Sequence, residues 1–294
     1  MRDPNGKKIL MKIIRSVSEM SEVSLRIRTS LKRSGFVPTM GYLHDGHLSL
    51  VRASKSECDI TIVSIFVNPS QFCPGEDLEK YPRDIDRDIS LLEKEGVDFL
   101  FAPDAGEMYP EGYSSYVDMD CALVKKLCGV SRPGHFRGVS TVVAKLFNIT
   151  DPDNSYFGQK DIQQGLVIKR MASDLNFRTK IRIMPTVREP DGLAMSSRNK
   201  YLSCKERKLA AKIFKSLERA SKEISSGEKS AANIRKIVED FLSGEEGIKI
   251  DYVDVVDPED LRSLERLNGN TLIVVAAFVG ATRLIDNILV QAGN

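Results

Sequence analysis

The chain predicts an α/β fold: a doubly wound parallel sheet with a smaller α+β unit behind it. Three features carry that reading. Strand-like and helix-like segments alternate up to about residue 175. The run Ile60-Thr-Ile-Val-Ser-Ile-Phe-Val67 is almost continuously apolar and β-branched, as in a strand covered on both faces. Past Pro185 the texture changes to a Lys/Glu-rich helical stretch and then to further strand-like runs.

Taken in order, helical spacing runs over 16–34 (Val17, Met20, Val23, Leu25, Ile27, Leu31), with Gly35 expected to stop it. FVPTM follows as a short strand, then a loop at Gly41 and a helix over 46–57. The strand 60–67 ends at Asn68-Pro69. A helix over 84–95 is closed by Gly96, and Val97–Ala102 is a strand. A helix over 138–149, a strand over 154–158 and a helix over 161–174 continue the alternation. VREPDGLAMSSRNKYLS reads as a loop and 203–243 as helix; Ile248–Val256, Thr271–Phe278 and Ile288–Gln291 read as strands. We therefore expect a Rossmann-like unit at 1–185 and a smaller C-terminal unit at 186–294.

Composition narrows the function. The 294 residues are 41% hydrophobic and 29% charged, with a formal net charge of +2. That is an ordinary globular composition, and the near-neutral balance argues against a nucleic-acid or membrane-surface protein. No run approaches a bilayer span or a secretory leader. Residues 1–10 look dispensable, because Met11 opens a plausible start. The five cysteines form no CxxC pair, so they read as reduced, buried thiols of a cytoplasmic protein, without a zinc site. His44, His47 and His135 are the only histidines. There is no GxSxG elbow and no HExxH.

Several segments could carry chemistry at one sheet edge. PTMGYLHDGH at 38–47 joins a strand to a helix, where unpaired N–H groups and the helix dipole suit a phosphate. Gly41 and Gly46 permit close backbone approach, and two imidazoles stand beside them. A metal pair is the weaker reading of those histidines. FGQKDIQQ at 157–164 is another strand, turn and helix, with Lys160 as a point charge, Asp161 as a helix cap and Gln164 a turn further on. Met195-Ser-Ser-Arg198 offers two hydroxyls and a guanidinium to a polyphosphate from a loop that could close as a lid. Asn68 and Gln71 follow a buried strand, and Arg132 and Arg137 could add positive charge.

Together with VSIFVNPSQF, YPRD, RPGHFRGVSTVV, PTVREPDGLAMSSRN and RLIDN, these segments resemble the pantoate–β-alanine ligase (pantothenate synthetase) family from about residue 11 onward. HxGH alone would indicate only the wider nucleotidyltransferase superfamily. The resemblance implies an ATP-dependent ligase that joins (R)-pantoate to β-alanine through a pantoyl adenylate. By motif, it assigns the nucleotide to Met40, Gly41, Tyr42, Leu43, His44, Asp45, Gly46, His47, Gly158, Gln159, Lys160, Asp161, Val187, Met195, Ser196, Ser197 and Arg198. His47, His44, Lys160 and Arg198 would be catalytic. Gln71 and Gln164 would grip pantoate, against an apolar wall of Phe157, Val142 and Val143. Mg²⁺ would arrive with ATP rather than sit in a protein metal site. Of the Asp pair that some members place after YPR, only Asp88 has a match, the preceding position being Arg87. The smaller unit would be a lid, and the family is commonly homodimeric.

Overall fold

The computed structural model describes residues 11–293, so the expectation for residues 1–10 lies outside it. The chain runs β1 (Lys12–Ile14), α1 (Val17–Thr29), β2 (Ser34–Thr39), α2 (Asp45–Glu57), β3 (Ile60–Ile65), α3 (Ile85–Glu95) and β4 (Phe99–Phe101). Short helices α4 (Ala105–Met108) and α5 (Cys128–Ser131) precede α6 (His135–Thr150), β5 (Asn154–Gly158), α7 (Ile162–Asp174) and β6 (Lys180–Met184). These strands form a six-stranded parallel sheet in the order β1-β4-β3-β2-β5-β6. After β2 the chain moves to one side, through β3, and β5 takes the other side. The switch point therefore falls between β2 and β5, where open parallel sheets place their ligands.

The second unit contains α8 (Cys204–Ser225), α9 (Ala231–Ser243) and the antiparallel strands β7 (Ile248–Val256), β8 (Gly269–Val279) and β9 (Thr282–Ala292). Period-2 alternation along β8 feeds two cores at once. Ile273, Val275 and Ala277 pack against α8 and α9, where Ile213, Leu217, Ile234 and Val238 are buried. Leu272 and Val274 face the other way, joining Val256 and Leu261 against Leu166 of α7. The small sheet is thus covered by its own helices on one face and docked to the larger unit on the other.

The predicted alternation holds, with corrections at its ends. Helix α1 stops at Thr29, capped by Ser30, and Leu31 turns the chain at φ 57°. Gly35 lies inside β2, where an added Cβ would sit 2.1 Å from Ser54 Oγ, so it serves close helix–strand packing rather than a stop. Strands β1 and β6 have no predicted counterpart: β1 is three residues long, and β6 (KIRIM) carries charges as an edge strand does. Helix α6 begins three residues early, at His135, and β9 extends well before Ile288. The cysteines are all free, but only Cys128 is buried and Cys204 is exposed, which corrects the expectation of buried thiols.

One glycine sets a close contact between a helix and a turn. A Cβ on Gly138 of α6 would fall 2.1 Å from the carbonyl oxygen of Ser70, so the helix lies directly against the 3₁₀ turn Pro69–Gln71. Gly138→Ala is expected to destabilise the fold by about 1–3 kcal/mol, the usual cost of overpacking. A denaturation series checks this, and an unchanged midpoint would show that the turn yields freely.

Candidate active site

The carboxyl ends of β2 and β5 open into a cleft of about 220 Å³. His44, His47 and Lys160 lie along it, with Val142, Val143, Phe157 and Phe66 as an apolar wall. Gln71, Gln164, Val187, Met195, Ser196, Ser197 and Arg198 line it as well. Met40, Gly46, Gly158 and Asp161 line it too, so most of the expected positions converge on one cavity. A smaller chamber of about 70 Å³ opens beside it, sharing Lys160, Gln164 and Arg198.

The two histidines are locked by the helix they start. His44 is the N-cap of α2, and its Nδ1 accepts from the N–H of Gly46 at 3.2 Å. His47 Nδ1 accepts from the N–H of His44 at 3.3 Å, completing a reciprocal cap. The ring centroids are 4.0 Å apart. Because both Nδ1 atoms accept, each neutral ring carries its proton on Nε2, as a hydrogen-bond donor. Burial, with Lys160 nearby, lowers the His44 pKa to about 4; burial, then His44 and Lys160, holds His47 well below the usual imidazole range. Both are neutral donors at neutral pH.

Lys160 stands in the 3₁₀ turn Gln159–Asp161, its ammonium 3.8 Å from Asp161. The expected cap is not made: Asp161 starts α7 without a side-chain hydrogen bond to it. Arg198 donates to both oxygens of Asp77, at 2.9 and 2.8 Å. Burial works against the charge of each partner, but their pairing outweighs it, raising the Arg198 pKa and lowering that of Asp77. Ser197 Oγ donates to the carbonyl of Tyr42 at 3.2 Å, so the Met195–Arg198 segment touches the β2–α2 loop. Gln71 Nε2 contacts Met40 Sδ at 3.2 Å, and its Oε1 accepts from Asn68 at 3.0 Å.

Some expected nucleotide contacts have side chains elsewhere. Leu43 is in the core, Gly41 and Tyr42 line a separate hollow, and Asp45 points to Arg52 at 3.7 Å. Gln159 Nε2 donates to Asn287 of β9 at 3.2 Å. These residues shape the loops rather than the cavity wall. Asp88 is 1% exposed and accepts from the N–H groups of Tyr42 and Leu43, at 2.6 and 2.8 Å. Its carboxylate is therefore engaged by backbone. Burial still raises its pKa. Arg137 stacks over Tyr116 at 4.1 Å, away from the cleft, and Arg132 is paired with Glu76 at 2.6 Å in the smaller chamber. Sequence reasoning missed Asp77, for which a loop between two elements gives no periodic signal, and gave no role to Tyr81 of YPRD, which lines the cleft.

A switch-point cleft lined by a helix N-terminus, cations and apolar residues marks the class of Rossmann-like enzymes of nucleotide chemistry. Known proteins narrow it further. The family model described as pantoate-beta-alanine ligase matches residues 12–289. A pantothenate synthetase of Thermosipho melanesiensis is 54% identical over 280 residues, covering 95% of this chain and 99% of that one. The crystal structure of pantothenate synthetase from Thermus thermophilus superposes with a TM-score of 0.91 at 44% identity, covering 95% and 99% of the two chains. That of the Francisella tularensis ligase, complexed with β-γ ATP and β-alanine, gives 0.76 at 38% identity over 95% and 97%. The chain belongs to the pantoate–β-alanine ligase family, whose members are ATP-dependent ligases.

The third histidine yields a pH prediction. His135 is 6% exposed; its Nδ1 lies 2.8 Å from the carbonyl of Gln71, and its Nε2 lies 3.0 Å from Arg132. That geometry needs a neutral ring, donating from Nδ1 and accepting at Nε2. Burial, then Arg132, lowers its pKa to about 4. The unfolded chain takes up the proton near 6.5, so this contribution to stability is complete above pH 6.5 and lost as pH falls towards 4. His135→Gln should lose less melting temperature than wild type between pH 6.5 and 4.5. Parallel curves would show that His135 does not drive the loss.

Proposed function

We propose that this chain condenses (R)-pantoate with β-alanine through a pantoyl adenylate, releasing AMP and diphosphate. The observation that carries the reading is one cleft in which two phosphate-suited turns, at 44–47 and 158–161, meet an apolar wall flanked by Gln71 and Gln164. The names of the relatives support the reaction, and the β-γ ATP and β-alanine of the Francisella structure support the substrates for that protein. We assign residues up to 185 to the unit that binds nucleotide and pantoate, and 186 onward to the smaller unit, whose Met195–Arg198 segment closes over them.

The carboxylate of pantoate attacks the α-phosphorus of MgATP, the P–O bond to the leaving diphosphate breaks, and an acyl adenylate remains. The nucleophile is already ionised, so this step needs orientation and charge stabilisation rather than a base. The Nε2–H groups of His44 and His47 donate to the phosphate oxygens, and Lys160 neutralises charge as it moves to the leaving group. Arg198 exchanges Asp77 for the polyphosphate. Gln71 and Gln164 hold the hydroxyls and carboxylate of pantoate, with Phe157, Val142 and Val143 against its methyls. In the second step the uncharged amine of β-alanine attacks the activated carbonyl, forming the amide and expelling AMP; the amine proton passes to solvent. Mg²⁺ is part of the nucleotide substrate. Asp88, with its oxygens bound by backbone, holds the loop instead of the metal.

Diphosphate release from ATP should require pantoate, and sustained turnover should require β-alanine as well. Lys160→Ala should slow adenylate formation by about 10²-fold or more, the scale of a lost transition-state charge partner. Release with a different short acid but not with pantoate would replace the substrate, and an unimpaired Lys160→Ala enzyme would move the site.

A further inference from the structure

The RLIDN motif takes no part in the chemistry above, yet Asp286 and Asn287 are only 4% and 2% exposed. Polar side chains are rarely buried so deeply unless their hydrogen bonds are met, and here they are met by the catalytic loops. Asn287 Nδ2 donates to the carbonyl of Gln159 at 2.9 Å and to that of Lys160 at 3.1 Å. Its Oδ1 accepts from Gln159 Nε2 at 3.2 Å. One amide therefore grips two successive peptide carbonyls of the turn that carries Lys160. That turn has little else to fix it, being a single 3₁₀ turn with no side-chain cap at its start.

The grip comes from a stiff support. Strand β9 pairs with β8 from Thr282 to Ala292 without a break. The adjacent Asp286 accepts from Arg188 at 2.6 and 3.0 Å, and Arg188 also donates to the carbonyl of Asn287 at 3.2 Å. Arg188 lies in the segment that leads to Met195–Arg198, and bridges to Ala194 across it. The same two residues of β9 thus tie the Lys160 turn and the base of the Arg198 loop to one strand.

We propose that Asn287 is a positioning residue for Lys160, fixing the backbone from which the ammonium reaches the transferring phosphate. This rests on the assignment of Lys160 in the proposed function. A residue that acts only through Lys160 has nothing to act on once the lysine is gone, whereas one that merely glues two sheets together weakens the enzyme regardless. A double-mutant cycle separates the two.

The experiment measures single-turnover adenylate formation for wild type, Lys160→Ala, Asn287→Ala and the double variant, with melting temperature followed in parallel. Asn287→Ala should lose about 10- to 100-fold in rate, the scale of a small misplacement of a reacting group, with the KM for ATP moving much less. The double variant should be no slower than Lys160→Ala alone. If Asn287→Ala does not fold, Asn287→Leu, of similar size and without a donor, gives the same cycle. Losses that multiply in the double variant, or a wild-type rate in the folded Asn287 variant, overturn the proposal. A wild-type rate in Lys160→Ala overturns the assignment of the lysine itself, and the positioning role with it.

Discussion

The carboxylate of Asp88 accepts the backbone N–H groups of Tyr42 and Leu43, and most of the site depends on that buried acceptor. To pass from β2 into α2 the chain turns through Gly41 at φ 82° and Tyr42 at φ 51°. A left-handed conformation costs a non-glycine residue about 1–2 kcal/mol, so something must hold it. Hydrogen bonds to a charged acceptor contribute about 1.5–3 kcal/mol each, enough to offset that strain. With the loop bent this way His44 arrives at the N-cap of α2, and His47 faces it from the first turn. The tautomer of both rings then follows from the backbone alone. Two neutral donors, which need no counter-ion, thus stand at the N-terminus of α2.

The cations are handled differently, and the difference separates moving parts from fixed ones. Arg198 and Asp77 keep side-chain exposures of 29% and 21%. Arg188 and Asp286 are at 19% and 3%, and the aspartate is almost wholly enclosed. Stranding a buried charge costs about 3–5 kcal/mol, against far less for a solvated pair. The Arg198 pair is therefore the less costly of the two to break. Arg188, which also lies 3.7 Å over the ring of Phe214, is part of the frame.

Where the sequence was legible, one physical signal dominated. Continuous apolar runs such as Ile60–Ile65 report burial on both faces, and the strand-to-helix turns after β2 and β5 follow from their glycines and breaks in pattern. Motif resemblance placed His44, His47, Lys160 and Arg198, and the cleft brings them together. The failures have a common cause as well. The first half of β9 breaks alternation because Asp286 and Asn287 are buried polar side chains whose partners lie far away in sequence. Asp77 became visible only through its pairing with Arg198, across 121 residues of chain. Propensity and periodicity describe local burial; they carry no term for a polar group satisfied at long range.

The same long-range bonds limit how the smaller unit could act as a lid. Swinging the antiparallel sheet away would strip the carbonyls of Gln159 and Lys160 from Asn287 and separate Leu272 and Val274 from Leu166. Each buried polar group left unpaired costs about 1–3 kcal/mol, and the apolar seam adds about 25 cal/mol per Å² re-exposed. Such an opening would also undo the turn that presents Lys160. The segment from Ser197 to Tyr201 is held to the larger unit separately from β9: Ser197 donates to the carbonyl of Tyr42, Arg198 pairs with Asp77 and Tyr201 donates to the carbonyl of Lys80. An opening confined to that segment leaves β9 and the Lys160 turn in register.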